Sequence, residues 1–426
     1  MKKVLIIAYY WPPAGGPGVQ RWLKFVKYLP DYNIEPIVYV PENAEYPIID
    51  EDLIKDVSPN IKIIKQPIKE PYKIASLFSK NKTKTISSGI IKEAKKQTFV
   101  DKLLLYIRGN FFIPDARVGW VKPSVAFLAK YIKKHPVDVI ITTGPPHSMH
   151  LIGMELRKKF AVQWIADFRD PWTSIGYHKE LKLTAKSAQK HKDLEHDVLN
   201  SADVVLTTSY TTKAEFEAIT SKPIHVITNG YDVEPLAKPS LDKKFTISHI
   251  GSLLSKRNPR ILWKALKEIL KENESFKNDF QLQLIGKVST EIIDTIKEFR
   301  LDEYVSLIGY VSHTQALQYQ RSSQLLLLIE IDSYETIGII PGKLFEYMAA
   351  ERPILALGPE GSDVAKILKE TNTGTYFSYD DLEEVKNSIL DSYAKYQTGT
   401  LQSNGIGLQY FSRKKLTEKL ADVINI

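Results

Sequence analysis

The sequence predicts an α/β protein made of two parallel-sheet domains in tandem, and three observations carry that prediction. Its 426 residues are about three times the commonest domain size of roughly 100–150 residues. Short β-rich apolar runs alternate with segments of helical period, the pattern of strands covered by helices. That pattern restarts after Asn229-Gly230-Tyr231 and a poorly periodic, Pro-containing stretch over 232–244. Composition agrees: 43% hydrophobic and 25% charged residues, with 21 Gly and 23 Pro, exclude disorder and fibrous structure. The absence of cysteine excludes a disulfide scaffold, a thiolate nucleophile and a Cys-ligated metal centre.

The first strand is expected over 4–8. Lys2-Lys3 ahead of it imitates a secretory leader, but the apolar run breaks at Trp11-Pro12-Pro13 and no small-residue cleavage site follows. The loop Pro12-Pro13-Ala14-Gly15-Gly16-Pro17-Gly18 comes next, then Val19, Trp22, Val26 and Leu29 on one face of an amphipathic helix. A glycine loop between a strand and a helix N-terminus is either a tight connection or an anion site, which makes Gly15 and Gly16 candidates. The loop matches neither a Walker A sequence nor a dinucleotide fingerprint.

Further strands are expected over 35–40, 137–142, 163–166, 204–207 and 224–227. Residues 66–117 interrupt the alternation; polar, lysine-rich and then apolar at 103–107, they predict a helical insertion. Ligands of doubly wound sheets bind beyond the carboxyl ends of strands. Two segments occupy such positions. In Gly144-Pro145-Pro146-His147-Ser148-Met149-His150, His147 is the functional candidate and His150 the structural one. In Asp167-Phe168-Arg169-Asp170-Pro171-Trp172, three charges within four positions are costly unless they pair internally or hold a ligand, and Asp167 is the catalytic candidate.

In the second half, strands are expected over 245–250, 281–285, 305–308, 324–329 and 353–356, which makes a second Rossmann-like domain. Its first strand leads into Gly251-Ser252-Leu253-Leu254-Ser255-Lys256-Arg257, two cations beside a glycine. The strand over 324–329 leads through Pro341-Gly342 into a helix beginning Lys343-Leu344-Phe345-Glu346. Lys343 and Glu346 stand three apart, so they form a surface ion pair or reach one ligand together, the cation suiting a diphosphate and the carboxylate a ribose. A last helix is expected over 413–426, with Leu416, Leu420, Val423 and Ile424 at helical spacing.

Charge is uneven. Residues 1–230 hold 34 basic and 23 acidic side chains, whereas residues 231–426 hold 24 and 27. Between positions 62 and 102 eleven lysines face only Glu70, Glu93 and Asp101. Such a segment is either a solvated surface or a patch for an anionic membrane surface. No base-reading or RNA-stacking motif accompanies it, so nucleic acid is not an expected partner. The longest aliphatic run, Leu325–Ile329, is far short of the ~20 residues that span a bilayer.

Taken together these motifs resemble a known group. The N-terminal Gly15-Gly16 loop, Thr228-Asn229-Gly230-Tyr231-Asp232 at the junction, and Pro341-Gly342-Lys343-Leu344-Phe345-Glu346-Tyr347-Met348-Ala349-Ala350 followed by Arg352-Pro353-Ile354 look like family 4 retaining glycosyltransferases of GT-B fold. Asp167 to Trp172 is similar to a bacterial polysaccharide-synthesis branch. The resemblance implies an N-terminal acceptor domain over 1–230, a donor domain over 231–412 facing it across a cleft, and a helix over 413–426 crossing back. The expected location is the cytoplasm, and the lysine-rich segment, where it is a patch for anionic lipid rather than solvated surface, would hold the enzyme peripherally at the inner face of the plasma membrane. The reaction implied is sugar transfer from a nucleotide diphosphate sugar to a glycan or lipid-linked acceptor, with retained configuration, no metal and no cofactor.

Carried over, Glu346 would bind the ribose, and Lys256 or Arg257 with Lys343 would neutralise the diphosphate beside Gly251 and Gly342. Gly309, Tyr310 and Val311 would line the base pocket, Gly15 and Gly16 would stand next to the phosphate or acceptor, and His147 would face the reacting sugar. Two departures stand out: the family's glutamate eight positions before Glu346 is Gly338 here, with Glu335 nearby, and Ser252 replaces the arginine common after the glycine. The alternatives are a GT-B nucleotide-sugar epimerase and a non-catalytic nucleotide-sugar-binding subunit. The oligomeric state is left open.

Overall fold

A computed structural model describes residues 1–70, 99–232 and 239–426. The chain divides into two compact units, Met1–Asn229 together with Arg413–Ile426, and Gly230–Ser412. Most of the lysine-rich stretch, residues 71–98, lies outside the described residues.

The first unit is built on a seven-stranded parallel sheet. Its strands are β1 (Lys2–Ile7), β2 (Ile34–Pro41), β3 (Lys62–Gln66), β4 (Val139–Gly144), β5 (Gln163–Phe168), β6 (Val204–Thr207) and β7 (Ile224–Val226). They stand in the order β3-β2-β1-β4-β5-β6-β7. Alternation along β1 covers both faces. Leu5 and Ile7 enter one core with Trp120, Leu128 and Trp164, while Val4 and Ile6 enter another with Trp22, Val26 and Leu29. A parallel strand flanked by helices on both sides is apolar throughout for this reason. The helix Arg413–Asn425 completes the second core with Leu416, Leu420, Val423 and Ile424. Lys2 Nζ donates to the Ile424 carbonyl at 2.6 Å, and Arg413 Nη2 donates to Gln20 Oε1 at 2.8 Å.

The second unit repeats the design with β8 (Phe245–Ile250), β9 (Phe280–Ile285), β10 (Val305–Gly309), β11 (Leu325–Ile329), β12 (Ile354–Leu357) and β13 (Gly374–Phe377). Their order is β10-β9-β8-β11-β12-β13, all parallel. In each sheet the order reverses at one place, between β1 and β4 and between β8 and β11. Loops leaving the carboxyl ends of strands on either side of a reversal diverge and leave a crevice between them. The sequence reading omitted β3 and β13, both at sheet edges. β3 carries two lysines in five residues and β13 opens on a glycine, so neither shows the apolar run that marks a buried strand.

Candidate functional site

In the first unit the loop after β1 and the loop after β4 flank the reversal. Gly16 caps the helix Pro17–Tyr28 with φ 110°, a left-handed geometry that a side chain resists. Gly18, in that helix's first turn, makes room for a guanidinium: a Cβ there would lie 1.5 Å from Arg169 Nη1. Arg169 Nε donates to the Gly144 carbonyl at 3.3 Å and Nη2 to that of Pro145. A cation is thereby fixed at a helix N-terminus.

His147 follows β4 and stacks on Trp172, with ring centres 4.9 Å apart and planes 3° from parallel. It is only 4% exposed, and neither ring nitrogen has a hydrogen-bond partner among the described residues. Burial, then the neighbouring His150, Arg169, His178 and His191, hold its pKa well below the ordinary value, so the ring is neutral near pH 7. His150 is also buried, and its Nδ1 lies 2.9 Å from Thr142 Oγ1.

Asp167 requires a correction. The structure buries it completely. Its Oδ1 accepts from Arg21 Nη2 at 3.0 Å, and its Oδ2 accepts from Trp22 Nε1 and Thr143 Oγ1 at 2.8 Å each. Both oxygens are occupied by protein groups, so this carboxylate organises the fold rather than meeting a substrate. The sequence places it beyond a strand end; the structure makes it the penultimate residue of β5, one position too early to emerge from the sheet.

The second unit holds a small cavity of about 40 Å³ at its reversal, lined by Arg257, Leu328, Ile329, Glu330, Ile331, Thr336, Ile339, Pro341 and Lys343. Two cations enter it. Lys343 comes from the start of the helix Lys343–Ala349. Gly251, with φ 123°, permits its approach, since a Cβ there would stand 2.6 Å from Lys343 Nζ. His249, buried in β8, places its Nδ1 3.0 Å from the Leu327 carbonyl, an acceptor. The proton therefore sits on Nδ1, and Nε2 is left to accept from Lys343 Nζ at 3.4 Å. Burial, then Arg257, lower the Lys343 pKa to about 7 against the opposing pull of Glu346. Such an amine takes up a proton readily when an anion arrives.

Of the alternatives Lys256 and Arg257, the arginine lines the cavity and the lysine is exposed outside it. Arg257 Nε is buried without a hydrogen-bond partner among the described residues. Glu346, one turn beyond Lys343, accepts from Gln320 Nε2 at 3.0 Å and pairs with His313 Nε2 at 3.3 Å. Gly342 has ordinary helical geometry, φ −56°, so its lack of a side chain is not a conformational need. Gly309, Tyr310 and Val311 do not line the cavity, and Tyr310 projects 95% exposed into solvent. Glu335, the neighbour of the family's missing glutamate, is exposed and likewise outside the cavity.

Two members escaped sequence reasoning. His249 carries no sequence signal beyond its place near a strand end. Glu330 does carry one: an acidic residue directly ending an aliphatic strand. It is 5% exposed, and its Oε2 accepts from Ser362 Oγ and Tyr376 OH at 2.8 Å each. Desolvation pushes its pKa up to about 7 despite those bonds and Arg257. Among the described residues no group of three or more His, Asp or Glu is placed to hold a metal ion, and no helix is long and apolar enough to cross a membrane.

Comparison with known proteins places both units. Residues 92–235 match the family described as Glycosyltransferase Family 4, and residues 244–395 match Glycosyl transferases group 1. No curated protein matches the sequence. Among solved structures, the lipopolysaccharide outer core galactosyltransferase WaaB aligns over 100% of both chains at 15% identity and TM-score 0.58. TarM of S. aureus, in complex with fondaparinux, alpha-GlcNAc-glycerol and UDP, aligns over 100% of both chains at 12% identity and TM-score 0.60. A putative UDP-N-acetylglucosamine 2-epimerase from Listeria monocytogenes aligns over 100% of this chain and 96% of its own at 12% identity and TM-score 0.57. These likenesses establish the fold, which transferases and an epimerase share.

Proposed function

We propose that this chain, which belongs to the GT-B glycosyltransferases by its family 4 and group 1 regions, moves a sugar from a nucleotide diphosphate sugar to a glycan or lipid-linked acceptor of a bacterial surface polysaccharide. The observation that carries the reading is the pair of cations, Arg257 and Lys343, aimed into one cavity at the β8/β11 reversal. The cavity lies within the group 1 region. A departing nucleoside diphosphate gains negative charge as its bond to the sugar breaks, and fixed cations in a water-poor site stabilise that charge. Metal independence belongs to the proposal, because these side chains supply what a divalent ion would.

Glu346 would accept the ribose hydroxyls, with His313 and Gln320 holding its orientation. Transfer would retain configuration by front-face attack. The acceptor oxygen bonds to the anomeric carbon as the carbon–phosphate oxygen bond breaks, and the acceptor proton passes to the leaving phosphate. In the first unit Arg169 and the glycine loop would meet an anionic part of the acceptor, and His147 would lend a neutral hydrogen-bonding nitrogen. Peripheral attachment at the inner membrane face is the remaining part of the reading. It is supported by the helix Phe99–Phe111, which leaves Leu103, Tyr106, Ile107 and Phe111 exposed next to the lysine-rich segment.

The test is incubation of nucleotide sugars with and without lipid-linked glycan acceptors, in excess EDTA. A transferase releases nucleoside diphosphate in proportion to acceptor. Isomerised donor without acceptor identifies an epimerase, and binding with no turnover identifies the non-catalytic subunit. Activity lost in EDTA and restored by magnesium or manganese removes metal independence alone.

A further inference from the structure

We infer that Glu330 reads the sugar of the donor, taking a neutral hydroxyl-bearing sugar and rejecting a uronic acid. The inference rests on the reading of the second unit as a donor site. The two oxygens of Glu330 are in unlike situations. Oε2 is held by Ser362 and Tyr376, hydroxyls that both donate to it. Gly358 keeps that corner open, since a Cβ there would fall 2.3 Å from Tyr376 OH and 2.7 Å from Oε2. Oε1 has no hydrogen bond within the described residues, while the side chain lines the cavity. A carboxylate clamped by one oxygen cannot swing away, so its other oxygen is presented in a fixed direction.

The rest of the cavity decides what that oxygen meets. Arg257 and Lys343 are its cationic members, and the remaining lining is largely apolar, from Leu328, Ile329, Ile331, Ile339 and Pro341. A diphosphate belongs at the cations and is repelled by a carboxylate. Glu346 stands one turn beyond Lys343 on its helix and does not line the cavity. With the ribose at Glu346 and the phosphates at the cations, the group left to reach into the cavity beside Glu330 is an edge of the sugar. A hydroxyl or amide N–H there donates to Oε1, whereas a uronate sets two carboxylates side by side in a dry site. An unmatched buried charge is the strongest discriminator a pocket has. Burial near neutral pH keeps Glu330 easily protonated, which softens but does not remove the contrast.

The experiment is titration calorimetry. UDP, GDP, dTDP and ADP are titrated first, and for the base that binds, its glucose and glucuronic acid conjugates are compared at pH 8. The wild type should bind the glucose conjugate at least tenfold more tightly than the glucuronic acid one. Glu330→Gln should bring the two within about threefold while leaving affinity for the bare nucleoside diphosphate within twofold. Glu330→Asp, which keeps the charge but retracts it by one methylene, should lose affinity for the glucose conjugate alone. Equal binding of both conjugates by the wild type overturns the inference. So does a preference that survives in Glu330→Gln, or an equal loss for the conjugates and the bare nucleotide. In those three cases nucleotide binding by the wild type leaves the donor-site reading standing. Failure of the wild type to bind any of the four nucleotides overturns both.

Discussion

Glu330 is a carboxyl group that the fold holds at a cost. Its pKa rises from 4.5 to about 7 because burial disfavours the anion more than Tyr376, Ser362 and Arg257 favour it. Between those two values the folded chain binds a proton that the unfolded chain has released, so stability falls as pH rises through the window and the loss is complete above it. Glu330→Gln has no charge to bury. Its stability relative to the wild type should therefore grow with pH, to about 3 kcal/mol at pH 8, with most of that gain gone at pH 5. Urea unfolding at the two pH values checks this. A variant less stable than the wild type at pH 8 would show that the carboxylate repays its burial through the Oε2 contacts inside the fold.

At the scale of elements, the buried Arg21–Asp167 pair ties four segments together. Asp167 from β5 receives Trp22 and Arg21 from the helix Pro17–Tyr28 and Thr143 from β4. Arg21 Nη1 also donates to the carbonyls of Ile227 and Thr228 at 2.7 and 2.8 Å. The helix that follows the Gly15-Gly16 loop is thus locked onto the carboxyl end of β5, which Thr143 ties to β4, and onto the segment after β7. Removing one partner of a buried pair leaves the other charge uncompensated and costs about 3–5 kcal/mol. Asp167→Ala should lower the melting temperature of the first unit by roughly 6–20 °C, while nucleotide affinity in the second unit stays unchanged. Calorimetric melting with and without nucleotide separates the two effects. An unshifted melting temperature with lost turnover would restore Asp167 to the chemistry.

At the scale of the whole molecule, the surplus of basic residues in the first 230 positions and the exposed apolar side chains of the helix Phe99–Phe111 point to the same role. Anionic vesicles should co-sediment the protein at 0.1 M salt and less of it at 1 M, as the screening length falls from ~10 Å to ~3 Å. Phe111→Ser together with Ile107→Ser should reduce what remains at high salt, the part due to apolar insertion. Equal sedimentation with zwitterionic and anionic vesicles, or none with either, would leave these lysines as solvated surface.

The sequence by itself determined the two-domain α/β architecture, the buried strands, the final helix and the motifs after each strand. All of these are encoded locally, by apolar period and by the glycines and prolines that punctuate it. Lys343 and Glu346 were legible for the same reason, being three positions apart on one helix. Only the tertiary structure decided which neighbours meet. Arg257 rather than Lys256 enters the cavity, and Asp167 turns inward to Arg21. Glu330, 13 residues before Lys343 and 73 after Arg257, joins both. Whether a charge at a strand end meets solvent, a partner or a ligand depends on a difference of one residue in where the strand leaves the sheet. It depends equally on which distant side chain fills the space beside it, and neither is written in the local pattern.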